Sequence, residues 1–571
     1  MSWNRNWCSP ILLVLTALTI ASCAPAAGPA AEGGPAPAER PAAPQPTIVL
    51  AARGEPASLA TKQFATSNGN FEMQRAFNAT LIFKDEHEQP QPYLSATIPQ
   101  LNTESWTVTP DGRMITTYQL RPNLTWQDGN PLTSADFAFA YQVYAKPELG
   151  ASQSTPIKLI AGIDAPDPRT VIIRWNQLYA DATVENGGFY PLPKHLLEQA
   201  LQAQDPGAFV SSSFWTANYV GAGPFRLIEY VPGDHIDAVA FDGHILGRPK
   251  LDKIRFVFIA DTQAGVANLL AGSIHYADRF VTNPTDGINL EEQWATTKAG
   301  EVLWSPTAIR AALVQMRPEY ADPKALLDLR VRKAIAHAFD KQTAIDVLNY
   351  GKAIATSTLT PPGVPYYSEI EKVVTRYQYD PRMVAQLMGQ AGFTLGSDNL
   401  YADGAGKRFT FGVWTSSGEK NVQEAAFFVD SLKKVGIDAT QQVSTVQQLN
   451  DGMARALIPG ISISGANNYR AFLSSEAAGP DNRWNGAGRN GWGNAEYDRA
   501  YDQYTNTLDL SLRVGFLAQM EKVFTEQLPA IMLYFQNTPT VRVAGLKGPQ
   551  PIAEPGAGGG ILRIHEWTWA P

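Results

Sequence analysis

Cysteine is nearly missing: the 571 residues hold two, Cys8 and Cys23, both in the first 23 positions. A disulfide framework for the body of the chain is therefore excluded. An excess of basic residues is also lacking. Forty-six Lys and Arg face 54 Asp and Glu, a net charge of −8, which argues against a nucleic-acid partner because a phosphate-binding surface needs clustered cations. Beyond Ile11 to Ala21 no long apolar run occurs, and that run is too short for the roughly twenty residues that span a bilayer. Metal-ligand spacing is lacking too. The seven histidines, at 87, 195, 235, 244, 275, 337 and 565, form no H-x-x-x-H or H-E-x-x-H pair, so neither a zinc hydrolase nor a resident metal or cofactor is expected. "GISISG" (460–465) has Ser464 where a G-x-S-x-G elbow needs glycine, and "DGAGK" (403–407) lacks the leading glycine of a phosphate loop and precedes a strand. "KDEHEQP" (84–90) reads as a solvated loop, its charges lacking apolar periodicity. No catalytic residues are expected.

What is present begins with a leader. Met1 to Ser22 reads as an export signal, with Arg5, the apolar run and small residues at its end. Ile20-Ala21-Ser22-Cys23 resembles the bacterial lipobox, which implies a lipidated Cys23 after cleavage and loss of Cys8 with the signal. Residues 24–46 carry seven prolines and no large apolar side chain, so they cannot fold and read as a tether between a membrane and the body of the chain. At about 3 Å per residue the tether reaches roughly 70 Å at most.

With 44% apolar residues and this length, the body should hold more than one packed lobe. "TIVLAA" (47–52), "RTVIIRW" (169–175), "KIRFVFI" (253–259) and "RFTFGVWT" (408–415) read as strands. Helices read from capping chemistry: Thr133 and Asp136 at capping-box spacing, and Asp380-Pro381 opening a helix that Gly392 ends. Strands and helices mix without a steady βαβ rhythm, which indicates α/β lobes.

"LRPNLTWQDGNPLTSADF" (120–137) closely resembles the LR-x-x-x-x-W-x-DG-x-P-x-T-x-x-D signature of the family 5 extracellular solute-binding proteins. "PLPKHLLE" (191–198), "YVGAGPFRLIEYVPGDHI" (219–236), "LRVRKAIAHAFDKQ" (329–342), "YDPRMVAQLMGQAGF" (379–393), "GWGNAEYDRAYDQ" (491–503) and "LPAIMLYFQNTP" (528–539) resemble further family segments in the family's order. The resemblance implies an α/β two-lobed clamp of the periplasmic-binding-protein type II (cluster C) class with an inserted extra domain. Carried over by these landmarks, domain I takes 47–85, 209–316 and 530–571, domain II takes 86–208, and domain III, the opposing lobe, takes 317–529. It further implies a monomeric, non-enzymatic protein on the outer side of the cytoplasmic membrane. Such a protein takes a small-molecule, peptide or oligosaccharide ligand and delivers it to an ABC permease and its ATPase. A hydrolase on the same scaffold, or a ligand-sensing partner of a membrane receptor, are the alternatives.

Ligand contacts are expected from the two stretches that face the cleft in the family, 53–71 and 461–492, and from a third candidate at a strand end. The loop 53–71 offers Arg53, Glu55 and Phe64. The strand end is that at Trp414. The glycine- and asparagine-rich stretch 461–492 offers Asn467, Asn468, Tyr469, Trp484 and Trp492, the rings as stacking platforms. Trp126, inside the fold signature, reads as packing. One departure stands out. Peptide-binding members commonly place an aspartate for the peptide's ammonium group in the stretch that aligns with 461–475, whereas "ISISGANNYRAFLSS" has no acid before Glu476. Peptides with a free N-terminus therefore lack a partner charge there, unless an acid such as Glu55 supplies it.

Overall fold

The computed structural model describes residues 46–60, 71–85, 89–149, 156–183, 190–466, 469–551 and 561–570. The four strands read from β-branched runs form, at Ile48–Ala52, Thr170–Trp175, Lys253–Phe258 and Thr410–Ser416. Local chemistry also sets the helices. Asp380 accepts hydrogen bonds from the backbone N–H groups of Arg382 (2.9 Å) and Met383 (3.1 Å), opening the helix Pro381–Gln390. Gly392 follows it at φ +91°, a conformation only glycine adopts without strain.

The fold signature has a structural purpose. Asp136, near the start of the helix Ser134–Tyr144, accepts from the Thr133 N–H (2.8 Å) and from the Lys194 N–H (3.0 Å). Asp128, in the signature's turn, pairs with His195 at 2.7 Å. The motif thus pins the P-K-H segment about sixty residues onward. Trp126 is 2% exposed and packs in the core, as expected.

One sheet dominates. Its strands run in the order Asp438–Ser444, Thr410–Ser416, Ile461–Gly465, Gly300–Val314, Ala530–Val543, Tyr276–Ala277, Ile48–Ala52, Lys253–Phe258, His235–Ala240 and Phe225–Val231, with Ile354–Ala355 joined to Ala530–Val543 off this path. Two long antiparallel strands, Gly300–Val314 and Ala530–Val543, run through its middle. A second, four-stranded antiparallel sheet lies within 106–175. Its residues, among them Tyr118, Val171 and Trp175, share one hydrophobic core with Ile48, Leu50 and Phe256 of the large sheet. At the other end of the long strands, two cores cover opposite faces. Ala312, Val314, Ile461 and Ile463 pack with Phe428 and Leu432 on one side. Ile309 and Ala311 pack with Phe472, Trp492 and Phe524 on the other. These cores belong to the two lobes of an α/β clamp, joined through the long strands.

The connection is irregular. Pairing shifts between Pro306 and Ala308 and again between Arg310 and Ala311. A bulge leaves one residue outside the ladder and bends the strand, so the break sits between the two lobes.

Candidate functional site

Strand direction locates the cleft. Ile461–Gly465 runs antiparallel to the 310–314 end of the first long strand, and Thr410–Ser416 and Asp438–Ser444 run parallel to it. In the other lobe Tyr276–Ala277 pairs antiparallel with Val541 and Arg542, near the 300 end, and Ile48–Ala52 and Lys253–Phe258 run parallel to Tyr276–Ala277. Both sets therefore point their carboxyl ends at the bulged middle of the long strands. In open α/β sheets ligands bind outside the carboxyl ends of the strands, and here two such edges face each other.

On the lobe at the 310–314 end these edges border a cavity of about 140 Å³. Ser416 and Ser444 end their strands, and Ser462 and Ser464 lie on the strand face opposite buried Ile461 and Ile463, so all four reach the lining. Gln315, Thr415, Asn490, Arg455 and Arg489 add to its polar wall, and among the described residues no aspartate, glutamate or histidine contributes. The walls are braced from behind. The Arg317 guanidinium donates to the carbonyls of Ala456 (2.9 Å) and Arg489 (2.8 Å), and Gln315 Nε2 donates to Ala456 (2.9 Å) and Ile458 (2.8 Å). Gly452 opens the short helix that carries Arg455. A Cβ there would lie 2.6 Å from the Trp484 carbonyl oxygen, so only glycine permits that approach.

Beside the cavity, on the sheet's other face, Arg310 is held by Glu424, with Nε 2.9 Å from Oε2. Glu424 is 2% exposed and also accepts from the Tyr534 hydroxyl. This buried ion pair spans strand and helix just where the long strands leave the lobe, and it is already satisfied.

The residues expected to touch ligand are scattered. Arg53 is exposed at the carboxyl end of Ile48–Ala52. Glu55 is exposed, yet its two oxygens accept from the Tyr230 hydroxyl (2.6 Å) and the Gly233 N–H (2.9 Å), so it is engaged within its own lobe. Trp414 is half-buried on the strand face shared with Ser462, its register partner, and its indole N–H is enclosed without an acceptor. Tyr469 is tied inward: its hydroxyl meets Thr360 Oγ1 (2.5 Å) and Glu521 Oε1 (2.9 Å). Trp484 is half-buried at φ +63°. Trp492, expected as a platform, is instead 5% exposed in the core against Phe472, Tyr497 and Phe524. Large flat rings near a sheet bury the most apolar area, and here that won over exposure to ligand. Phe64, Asn467, Asn468 and Cys23 lie outside the described residues. Arg455 and Arg489 were not singled out from sequence. Asp451 stands four positions before Arg455, but its carboxylate accepts from the Met453 (2.8 Å) and Ala454 (3.2 Å) N–H groups as a helix cap, so spacing alone did not mark Arg455 out.

Elsewhere, Glu229, His235 and Asp237 bring ligand atoms within 4.8 Å of one another. Asp237 is already gripped by Arg255 (2.6 and 2.8 Å) and Lys253 (3.0 Å), and the Arg255 hydrogen bonds hold its carboxyl down at about 2. Two cations occupy the position a metal would need.

Fold and cleft define a two-lobed binding protein. Residues 96–479 match the bacterial extracellular solute-binding proteins, family 5, and the chain belongs to that family. It is 24% identical over 515 residues to the oligopeptide-binding protein AppA of Bacillus subtilis, covering 88% of each chain. Among solved structures it resembles that AppA in complex with a nonapeptide (20% identity, TM-score 0.63, 93% of this chain and 100% of that one). It also resembles NikZ of Campylobacter jejuni in complex with Ni(L-His) (21%, 0.67, 91% and 99%). A third is NikA of Brucella suis in complex with Fe(III)-EDTA (18%, 0.71, 92% and 100%). Among the described residues no helix is long and apolar enough to cross a membrane.

Proposed function

We propose that the protein captures a solute outside the cytoplasm, peptide-like or saccharide, in the cleft between its lobes and delivers it to an ABC permease driven by an ATPase. The observation that carries this reading is the convergence of two sets of strand carboxyl ends on one bulged pair of strands, with the serine- and arginine-lined cavity at their border. Relatives named for oligopeptide and dipeptide binding support it. A ligand that touches both lobes only when they close favours the closed state by its differential affinity. Among the described residues the cavity lining holds no histidine or carboxylate to serve its hydroxyls as a general base, and membership of a solute-binding family supports binding without chemistry. A diacylglyceryl group on Cys23 and the proline-rich tether would moor the clamp beside its permease, since two acyl chains anchor a protein stably where one does not.

Native mass spectrometry of protein extracted from the membranes of its source tests both parts. The expected spectrum shows a chain beginning at a lipidated Cys23 and a releasable solute. A chain that retains residues 1–22 removes the anchor, and a protein that carries no solute and takes up none from a cell extract removes the capture role.

A further inference from the structure

We propose that the captured solute bears an oxyanion, a carboxylate or a phosphate, and that Arg455 and Arg489 grip it in the cavity at the strand ends. This rests on the capture reading and narrows it to a class of ligand.

Arg455 is half-buried and Arg489 exposed at the rim of the cavity, and both differ from the arginines withdrawn more deeply from solvent. Arg310 is paired with Glu424, Arg513 with Asp181, and Arg332 is spent on the carbonyls of Leu326, Leu327 and Gln527. Among the described residues, neither Arg455 nor Arg489 has an ion pair or a side-chain hydrogen bond, and the Arg455 Nε–H is buried with no acceptor. An unpaired buried donor costs about 1–3 kcal/mol, more on a charged group. The two are also neighbours: burial first, and then the charge of Arg455, pull the Arg489 guanidinium below its ordinary value. Two like charges share a cavity that offers them no carboxylate, while Arg317 and Gln315 fix the backbone on both sides of it. Collapse is prevented, so the vacant charge is built into the fold rather than incidental to it.

The arginines and serines that converge there can all donate. Two guanidinium forks match the paired oxygens of a carboxylate or phosphate. Ser416, Ser444, Ser462 and Ser464 supply hydroxyls that rotate to suit the ligand, and these residues all line the same space. The missing acid in 461–475 now has a counterpart: this lobe is arranged for the negative end of a solute, not for an ammonium group.

The test uses the mature chain and a double variant, Arg455→Gln with Arg489→Gln. Inorganic phosphate and sodium acetate serve as probes, against sodium chloride at equal ionic strength. The wild type is expected to melt about 1–3 °C higher in at least one of the two anions at tens of millimolar, as an anion binding only the folded state requires. Which anion acts tells phosphate from carboxylate. The variant should show no such shift, and without ligand it should melt no lower than wild type because a like-charge contact is removed. In native mass spectrometry the solute carried by the wild type should be anionic and bound at least tenfold more weakly by the variant. A neutral solute, or one held equally by the variant, overturns the oxyanion while leaving capture intact. Absence of a thermal shift with both anions overturns it as well. A protein that binds no solute at all brings down the capture reading itself.

Discussion

His244 contributes to the protein's response to acid. It is 4% exposed, its Nδ1–H donates to the Gly247 carbonyl (2.9 Å), and Nε2 accepts from the Tyr93 hydroxyl (2.8 Å). That arrangement requires the neutral ring. Burial pulls its pKa from 6.5 down to about 4, with His565 nearby opposing a second charge. The unfolded chain therefore binds a proton that the folded one refuses, and stability falls as pH drops from 6.5 to about 4. The contribution is of order 3 kcal/mol at most. His244→Gln, which keeps a donor or acceptor but does not titrate in that range, should lose less stability across this window in urea melts at pH 7 and pH 4. Equal losses would assign acid sensitivity elsewhere. Trp492 and Tyr469 make a related point at this scale. Both were legible as aromatic, but aromaticity does not say which way a ring faces: Trp492 lies in the core, and the half-buried Tyr469 turns its hydroxyl inward to Glu521.

At the scale of elements, local chemistry was a faithful guide wherever a cap or a β-branched run was involved. Asp380, Pro381 and Gly392 mark the ends of one helix within a residue or two, because capping depends only on backbone groups a few positions away. Asp380→Ala should lower stability by about 1 kcal/mol, measured as a shift in the urea midpoint with an unchanged slope. A change below a few tenths would mean the Asp380 side chain does not carry the cap. The long strands Gly300–Val314 and Ala530–Val543 were not legible in the same way. Their pairing over thirteen positions, and the two shifts in register that bend it, arise between segments more than two hundred residues apart. No local signal specifies such a partner.

At the scale of the whole molecule, one ion pair bridges segments far apart in sequence. Arg513, on the helix Leu510–Gln527 of the lobe that carries the cavity, meets Asp181 at 3.0 Å. Asp181 lies beside Ala182, whose carbonyl accepts from Tyr118 of the four-stranded sheet (2.6 Å). Arg513 arrives pre-set, its Nε held by the Tyr504 carbonyl (3.2 Å) and its guanidinium 4.6 Å from the Tyr504 ring centre. If the pair forms only when the lobes approach, it favours their closed arrangement, and its removal tests that. Asp181→Ala should increase the radius of gyration of the ligand-free protein in solution scattering and weaken solute binding a few-fold, with the melting temperature nearly unchanged. An unaltered radius together with unaltered affinity would make the pair a surface ornament of the kind that contributes little.

The sequence by itself determined the class of molecule: an α/β chain with an export leader and a cysteine placed for a lipid, and segments in the order of one binding-protein family. It also held the negative clue, the lack of an acid where related proteins place one. Tertiary structure alone decided which polar residues face the cleft. Arg455 and Arg489 lie more than thirty positions apart and meet only because Arg317, Gln315 and the close approach at Gly452 fold their segments against one cavity wall. Charge is written in the chain, but whether a charge has a partner depends on what the fold brings within about 4 Å, and that is a property of three dimensions.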